Sequence, residues 1–524
     1  MRLWRLSLLS IILLLSACLP VVELAPTLTS TGDLPQGTQA LPPAFTPTPS
    51  PPPTLTPAPT PDLPTLDQRL GLLPAFSNDV SLLEGSTRYW IEVKLSLDES
   101  AREATIDGSA RIIFTNPLEQ RLSDIVLMLW PNNDQYAAVM TAGPAVIEGR
   151  VVEGEPITES LGLRFDLPRS LGPGEKVDLS LPFRVEIGAM SAVAPKRMGV
   201  TEGMLLAPTF YPLVPRLIDG EWELKDAPPG GDTTNSEVAF YQIDVTWPEA
   251  FELVASGVEV ERRATEGSIQ ATFISGPMRD AALAMGLFVM ESRKVGDVTL
   301  QAWLLREHRE DIEVVLDSAA VQIALLGELV GPYPYPELDL VDAPGAFGGI
   351  EYPGLVFLGT VGSNWLIEPT VHEVAHQWFY GLIGDDQILE PWLDEAAATF
   401  AEALYYEDAQ GSGRATSFLS DLRWILRGHP DSDLPIGLAV ADYPDEQIYA
   451  TIVYLKGALF FDALRRELGE AGFKDFLGEY YEVYRYGVAD AEGFQAIAER
   501  ACRCDLDPLF DLWVYEGGTV LELE

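Results

Sequence analysis

Basic residues are scarce in this chain. Lysine and arginine together number 34 against 79 aspartates and glutamates, a formal net charge of −45. That balance excludes nucleic acid and anionic membrane surfaces as electrostatic partners. The acidic residues are scattered and build no acidic tail, so they describe a solvated surface. The apolar run from Leu6 to Leu15 is too short to cross a bilayer as a helix, and no internal repeat is visible. Cysteine occurs three times and histidine four times in 524 residues. What remains is a globular balance, 47% hydrophobic and 22% charged, at a length that suits two or three domains.

Scarce histidine makes one pattern informative. His372-Glu373-Val374-Ala375-His376 places two of the four histidines at i and i+4, so on a helix both imidazoles leave one face, a turn apart. That separation lets two histidines share one tetrahedral zinc. At this composition an H-E-x-x-H would arise by chance about 0.005 times in the whole chain, which favours a zinc site over a surface helix. A metzincin would need glycine and histidine where Phe379 and Leu382 stand. The carboxylate that fits as third ligand is Glu395, near the start of the alanine-rich run Asp394 to Glu402. Two histidines and one glutamate leave the fourth position open, as in a catalytic site. Glu373 is placed to take a proton from the attacking water. Glu402, two helical turns after Glu395, can orient a ligand imidazole from behind; its plainer role is an exposed helix glutamate.

These residues resemble the aminopeptidase N family of gluzincin zinc peptidases. His372 to Phe379 is similar to the family's H-E-x-x-H-Q-W-F helix, and Trp392-Leu393-Asp394-Glu395-Ala396 to its W-L-N-E-G segment, with Asp for Asn and Ala for Gly. Gly348-Gly349-Ile350-Glu351-Tyr352 resembles the G-x-M-E-N motif, and Tyr454-Leu455-Lys456-Gly457 resembles Y-x-K-G. The resemblance implies one zinc per chain held by His372, His376 and Glu395, with Glu373 as general base. It further implies Tyr454 as the hydrogen-bond donor facing the scissile carbonyl, with Tyr449 as rival. Glu351, on a turn with Gly348 and Gly349, would anchor the substrate's free ammonium group. The family adds a second amine-binding side chain from its β domain, and Ala207 to Leu217, with Thr209 and Tyr211, is the best region for it.

Residues 1–18 read as a lipoprotein signal peptide. Arg2 and Arg5 precede the apolar run, and Leu15-Ser16-Ala17-Cys18 is a lipobox pattern in which Cys18 would be acylated. The plainer reading is a secretory signal with an incidental cysteine. Residues 19–72 are rich in Pro and Thr and read as a disordered tether. The location expected is therefore outside the cytoplasm in a bacterial cell envelope, with the membrane reached through the lipid anchor alone.

Residues 73–300 show the two-residue period of strands, as in Tyr89 to Leu95, Ala110 to Phe114 and Phe240 to Val245. They predict a β-rich, saddle-like N-terminal domain. Residues 301–524 predict a mainly α, thermolysin-like α+β catalytic domain, with a helix at Ile312 to Leu329, short strands at Leu338 to Leu340 and Leu355 to Leu358, and a helix at Tyr449 to Leu468. The family's large C-terminal helical domain is expected to be absent. Cys502 and Cys504 lie in a helical stretch; a C-x-C bridge is strained, so two packed thiols are expected. His308 and His429 have no ligand-like neighbours in sequence.

The function these readings imply is zinc-dependent removal of N-terminal residues from peptides. A thermolysin-like endopeptidase would keep the zinc and Glu373 but would not need Glu351. An inactive surface-binding scaffold is the third reading, opposed by the complete set of ligands and base.

Overall fold

The computed structural model describes residues 66–518, apart from 192–194, 226–227, 229–234 and 364. The signal peptide, Cys18 and most of the tether lie outside the described residues. The strand pattern read from sequence becomes a nine-stranded sheet at the centre of the N-terminal half. Arg88–Asp98 lies in its middle, antiparallel to Glu103–Thr115 and parallel to Phe240–Pro248. Ile91, Val93 and Leu95 are buried while Glu92, Lys94 and Ser96 face water, the alternation expected where one face of a sheet covers a core. A four-stranded sheet containing Met204–Pro208 and Ala282–Gly286 adjoins it, and its strands are buried on both sides.

The C-terminal half is built on a five-stranded sheet in the order Phe288–Val295, Val298–Leu305, Glu337–Asp342, Leu355–Leu358 and Gly349–Ile350. The expected division at residue 300 cuts the first hairpin of this sheet. Val298–Leu305 pairs in parallel with Glu337–Asp342, so the hairpin belongs with the residues after it. The expected helix forms at Ile312–Leu329, burying Ile312, Val315, Leu316, Ala319, Ile323 and Leu326 along one stripe. Helices follow at Ile367–Ala375, Trp392–Gln410, Ser412–Arg427 and Ala491–Cys502. The helix expected from Tyr449 is instead a short helix Glu446–Ala450, a π-helical turn Thr451–Lys456, and Gly457–Tyr484, which breaks at Gly469. No helix among the described residues is long and apolar enough to cross a membrane.

Two further expectations are corrected. Residues 66–72, assigned to the tether, are part of the folded body. Gln68–Gly71 forms a helical turn, Leu72 is buried in the core, and the Leu66 N–H donates to Gln242 Oε1 at 3.1 Å. Cys502 and Cys504 are joined in a disulfide. Arg503 between them takes a left-handed conformation (φ 58°) that ends the helix and leaves the two Cα atoms 5.2 Å apart, within bridging range.

The two halves share one extensive hydrophobic core and a buried cation. Arg279, on the β side, is 2% exposed. Its Nε donates to the Tyr380 carbonyl at 2.7 Å and Nη1 to that of Ser236 at 3.0 Å, while Nη2 donates to the Gly487 carbonyl.

Candidate active site

The Ile367–Ala375 helix lies against the sheet edge, and its residues from Pro369 to Ala375 are all buried. His372 is on this helix, and His376 follows its last residue, still in helical conformation (φ −62°). Their Nε2 atoms stand 3.1 Å apart. Glu395, in the first turn of Trp392–Gln410, brings Oε2 to 3.2 Å from His372 Nε2 and 3.3 Å from His376 Nε2. The three ligand atoms lie within 4.8 Å of one another, all on buried residues.

The ring nitrogens turned away from this cluster are also fixed. His372 Nδ1 meets Glu402 Oε1 at 3.0 Å, and His376 Nδ1 meets the Phe379 carbonyl at 3.0 Å. Glu402 is 7% exposed, so the plainer reading of it as a surface glutamate does not hold. Burial alone would lower both imidazole pKa values, but the Glu395 carboxylate outweighs it and raises both, His376 to about 10. Burial would raise Glu395, yet the His376 charge and the imidazole hydrogen bonds hold it well below the ordinary carboxylate range. Two buried imidazoles and a carboxylate, converging by three atoms and each backed from behind, suit zinc in type and number.

Glycine sets how closely this site is packed. A Cβ at Gly349 would stand 2.3 Å from Glu373 Oε1, so the Glu373 carboxylate rests against bare backbone of the edge strand. A Cβ at Gly457 would meet that of Ala396 at 2.4 Å. The turn Thr451–Lys456 therefore lies close to the helix Trp392–Gln410, and Tyr454 OH donates to Glu395 Oε1 at 2.5 Å. The Tyr454 ring stacks on His372 with centroids 5.8 Å apart. Tyr449 is buried in edge-on contact with Tyr443 and Tyr454 and does not line the cavity.

That cavity, of about 140 Å³, is lined by His372, Glu373, His376, Glu395 and Tyr454 on one side and by Phe347 to Glu351 on the other. Gln377, next to the second histidine, holds the turn bearing Glu351. Its Oε1 accepts from the Gly354 N–H at 2.8 Å, and its Nε2 donates to the Tyr352 carbonyl at 3.3 Å. Glu351 Oε1 accepts a bond from Gln387 Nε2 at 3.2 Å.

From the β half, Gln135 and Arg197 reach the cavity wall, and Arg197 Nε donates to Gln135 Oε1 at 3.2 Å. The expected region, Ala207 to Leu217, does not line it. Thr209 donates to Asp280 Oδ2 at 3.2 Å, and Tyr211 packs edge-on against Tyr89 and Tyr241. Both side chains are spent on the interior. Gln135 and Gln387 sit in loops and belong to no motif, so nothing in the sequence marks them.

Residues 324–513 match the peptidase family M1 domain. Aminopeptidase M1-B of Oryza sativa subsp. japonica is 26% identical over 294 residues, 51% of this chain and 33% of its own length. Tricorn protease-interacting factor F2 of Thermoplasma volcanium is 27% identical over 207 residues, 36% of this chain and 26% of its own length. The chain thus spans about a third or less of the length of these curated relatives. Among solved structures, an M1 zinc metallopeptidase from Deinococcus radiodurans superposes with a TM-score of 0.64 at 20% identity, covering 82% of this chain and 94% of that one. A mutant of that enzyme, crystallised with a Tyr-Ser-Ala substrate, superposes at 0.62 with 20% identity, over 83% and 95% of the two chains. The β-rich half followed by a helical catalytic half is the same fold. With the histidine, glutamate and glycine motifs in family order, residues 324–513 carry a peptidase family M1 domain.

Proposed function

We propose that this protein is a zinc-dependent aminopeptidase that removes N-terminal residues from peptides. The observation that carries the reading is Glu351, a buried carboxylate lining the same cavity as the His372–His376–Glu395 cluster and Glu373. A carboxylate there pairs with a free ammonium group and registers a peptide by its first residue. Gly349–Ile350 is the edge strand of its sheet, so an extended peptide can add alongside it through main-chain hydrogen bonds.

His372, His376 and Glu395 would hold the zinc, with Glu402 and the Phe379 carbonyl fixing the two rings. When bound, zinc polarises a carbonyl and acidifies water. Glu373 accepts the proton of the attacking water and passes it to the leaving amine. The Tyr454 hydroxyl, beside Glu395, donates to the oxyanion as it forms.

Glu351→Ala tests the assignment. A charge-assisted contact of this kind is typically worth about 1.5–3 kcal/mol, so kcat/KM for free-amine substrates should fall roughly ten- to several-hundred-fold. N-acetylated analogues should be poor substrates of the wild type and lose little more in the variant. Equal cleavage of free and acetylated peptides by the wild type would install the endopeptidase reading instead.

The leader supports a location in the cell envelope. Acylation at Cys18 would give two chains, enough for stable attachment where one is marginal. Cys18→Ser should move the protein from the membrane fraction to the soluble fraction, and a variant that still sediments with membranes would refute the anchor.

A further inference from the structure

Gln387 stands between two carboxylates. It lies in the loop joining His372 and His376 to the helix Trp392–Gln410 and is 3% exposed. Its Nε2 donates to Glu351 Oε1 at 3.2 Å and to Asp394 Oδ2 at 3.1 Å, which occupies both hydrogens of the amide. Asp394 Oδ1 in turn accepts the Glu395 N–H at 2.7 Å. The backbone of Gln387 is pinned as well: its N–H donates to Asn235 Oδ1 at 3.2 Å, and Asn235 Nδ2 donates to Asp386 Oδ1 at 2.9 Å. Asp386 Oδ1 also accepts the N–H groups of Ile388 at 3.2 Å and Leu389 at 3.0 Å, so the loop has little freedom to carry Gln387 away.

Two buried carboxylates converging on one point repel unless donors lie between them. The Gln387 amide supplies one donor to each, and no other side chain of that length offers two neutral N–H groups from one atom. Methionine matches the shape and offers no donor; glutamate matches it and adds a third negative charge.

We propose that Gln387 is the positioning residue of the ammonium site: it aims Glu351 at the substrate's N-terminus and ties that carboxylate, through Asp394, to the backbone of the zinc ligand Glu395. This rests on Glu351 being the amine anchor. Gln387 touches neither substrate nor metal and acts through Glu351, so its loss bears on ground-state binding of free-amine peptides more than on turnover.

The experiment uses the full chain, an unblocked aminoacyl substrate and its N-acetylated analogue. Gln387→Met is expected to raise KM for the unblocked substrate about tenfold, the loss of one hydrogen bond to a charged group. It should leave kcat within about threefold and zinc content by elemental analysis unchanged. Gln387→Glu, isosteric with the native residue, should raise KM further. In a Glu351→Ala background, Gln387→Met should change KM less than about twofold, because the group it aims is gone. The same KM increase in both backgrounds would overturn the proposal, as would a loss confined to kcat or zinc, or an unchanged KM in Gln387→Glu. If the wild type does not discriminate against the acetylated substrate, the anchor reading itself fails. If it does, and Glu351→Ala abolishes that discrimination while the Gln387 variants keep it, only the positioning role fails.

Discussion

Glu373→Gln should lower turnover of peptide substrates by about 10²–10⁴-fold, the usual contribution of a positioned general base, and leave the zinc in place. Glutamine fills the same space beside the bare backbone of Gly349, so the variant changes the chemistry and not the packing. What it loses is an oxygen able to accept a proton at neutral pH. The residues assigned to the metal, His372, His376 and Glu395, are untouched, as are the Glu402 and Phe379 contacts that orient the rings. The check is kinetics on protein whose zinc content has been measured. Near-wild-type turnover in a zinc-loaded variant would remove Glu373 from the mechanism.

Chelation should abolish activity, and one equivalent of zinc per chain should restore it. Two helices meet at the cluster, Ile367–Ala375 carrying His372 and Trp392–Gln410 carrying Glu395. Metal that binds only the folded arrangement adds stability by mass action, about 4 kcal/mol at a free concentration a thousand times its dissociation constant. Removing it should therefore lower the Tm as well as the activity. Hydrolysis that persists in chelated protein, shown by elemental analysis to hold no zinc, would end the metallopeptidase reading.

Much of this was legible in sequence, because chemistry that needs fixed spacing leaves fixed spacing behind. His372 and His376 are one helical turn apart in the chain and in space, and Ile312–Leu329 announces itself by its apolar stripe. Glu351, Glu395 and Tyr454 were reachable because each sits in a short local pattern. Gln387 was not. Its partners lie at residues 235, 351 and 394, and hydrogen bonds across such separations impose no periodicity.

Gln135 was hidden for the same reason, while Thr209 and Tyr211 looked available because burial cannot be read from a polar residue type. The border between the halves was misplaced because an alternating strand pattern runs through Phe288–Leu305 without a break. Nor does a π-helical turn betray itself within an apolar helix: a single extra residue at Thr451–Lys456 shifts the stripe too little to notice. The Cys502–Cys504 bridge depends on Arg503 adopting a left-handed conformation, which residue type alone does not announce.

The Arg279 guanidinium has a meaning for how the molecule comes apart. Its acceptors are carbonyls from both halves, Ser236 on one side and Tyr380 and Gly487 on the other. Severing the chain between the halves would strip a buried cation of two of those three oxygens, a loss of several kcal/mol. It would also lay bare the shared core. The helical half is thus not expected to fold as an autonomous unit carried by a detachable β module. Heat or denaturant should therefore meet a single cooperative body, with the His372–His376–Glu395 cluster lost together with the β-rich half beside it.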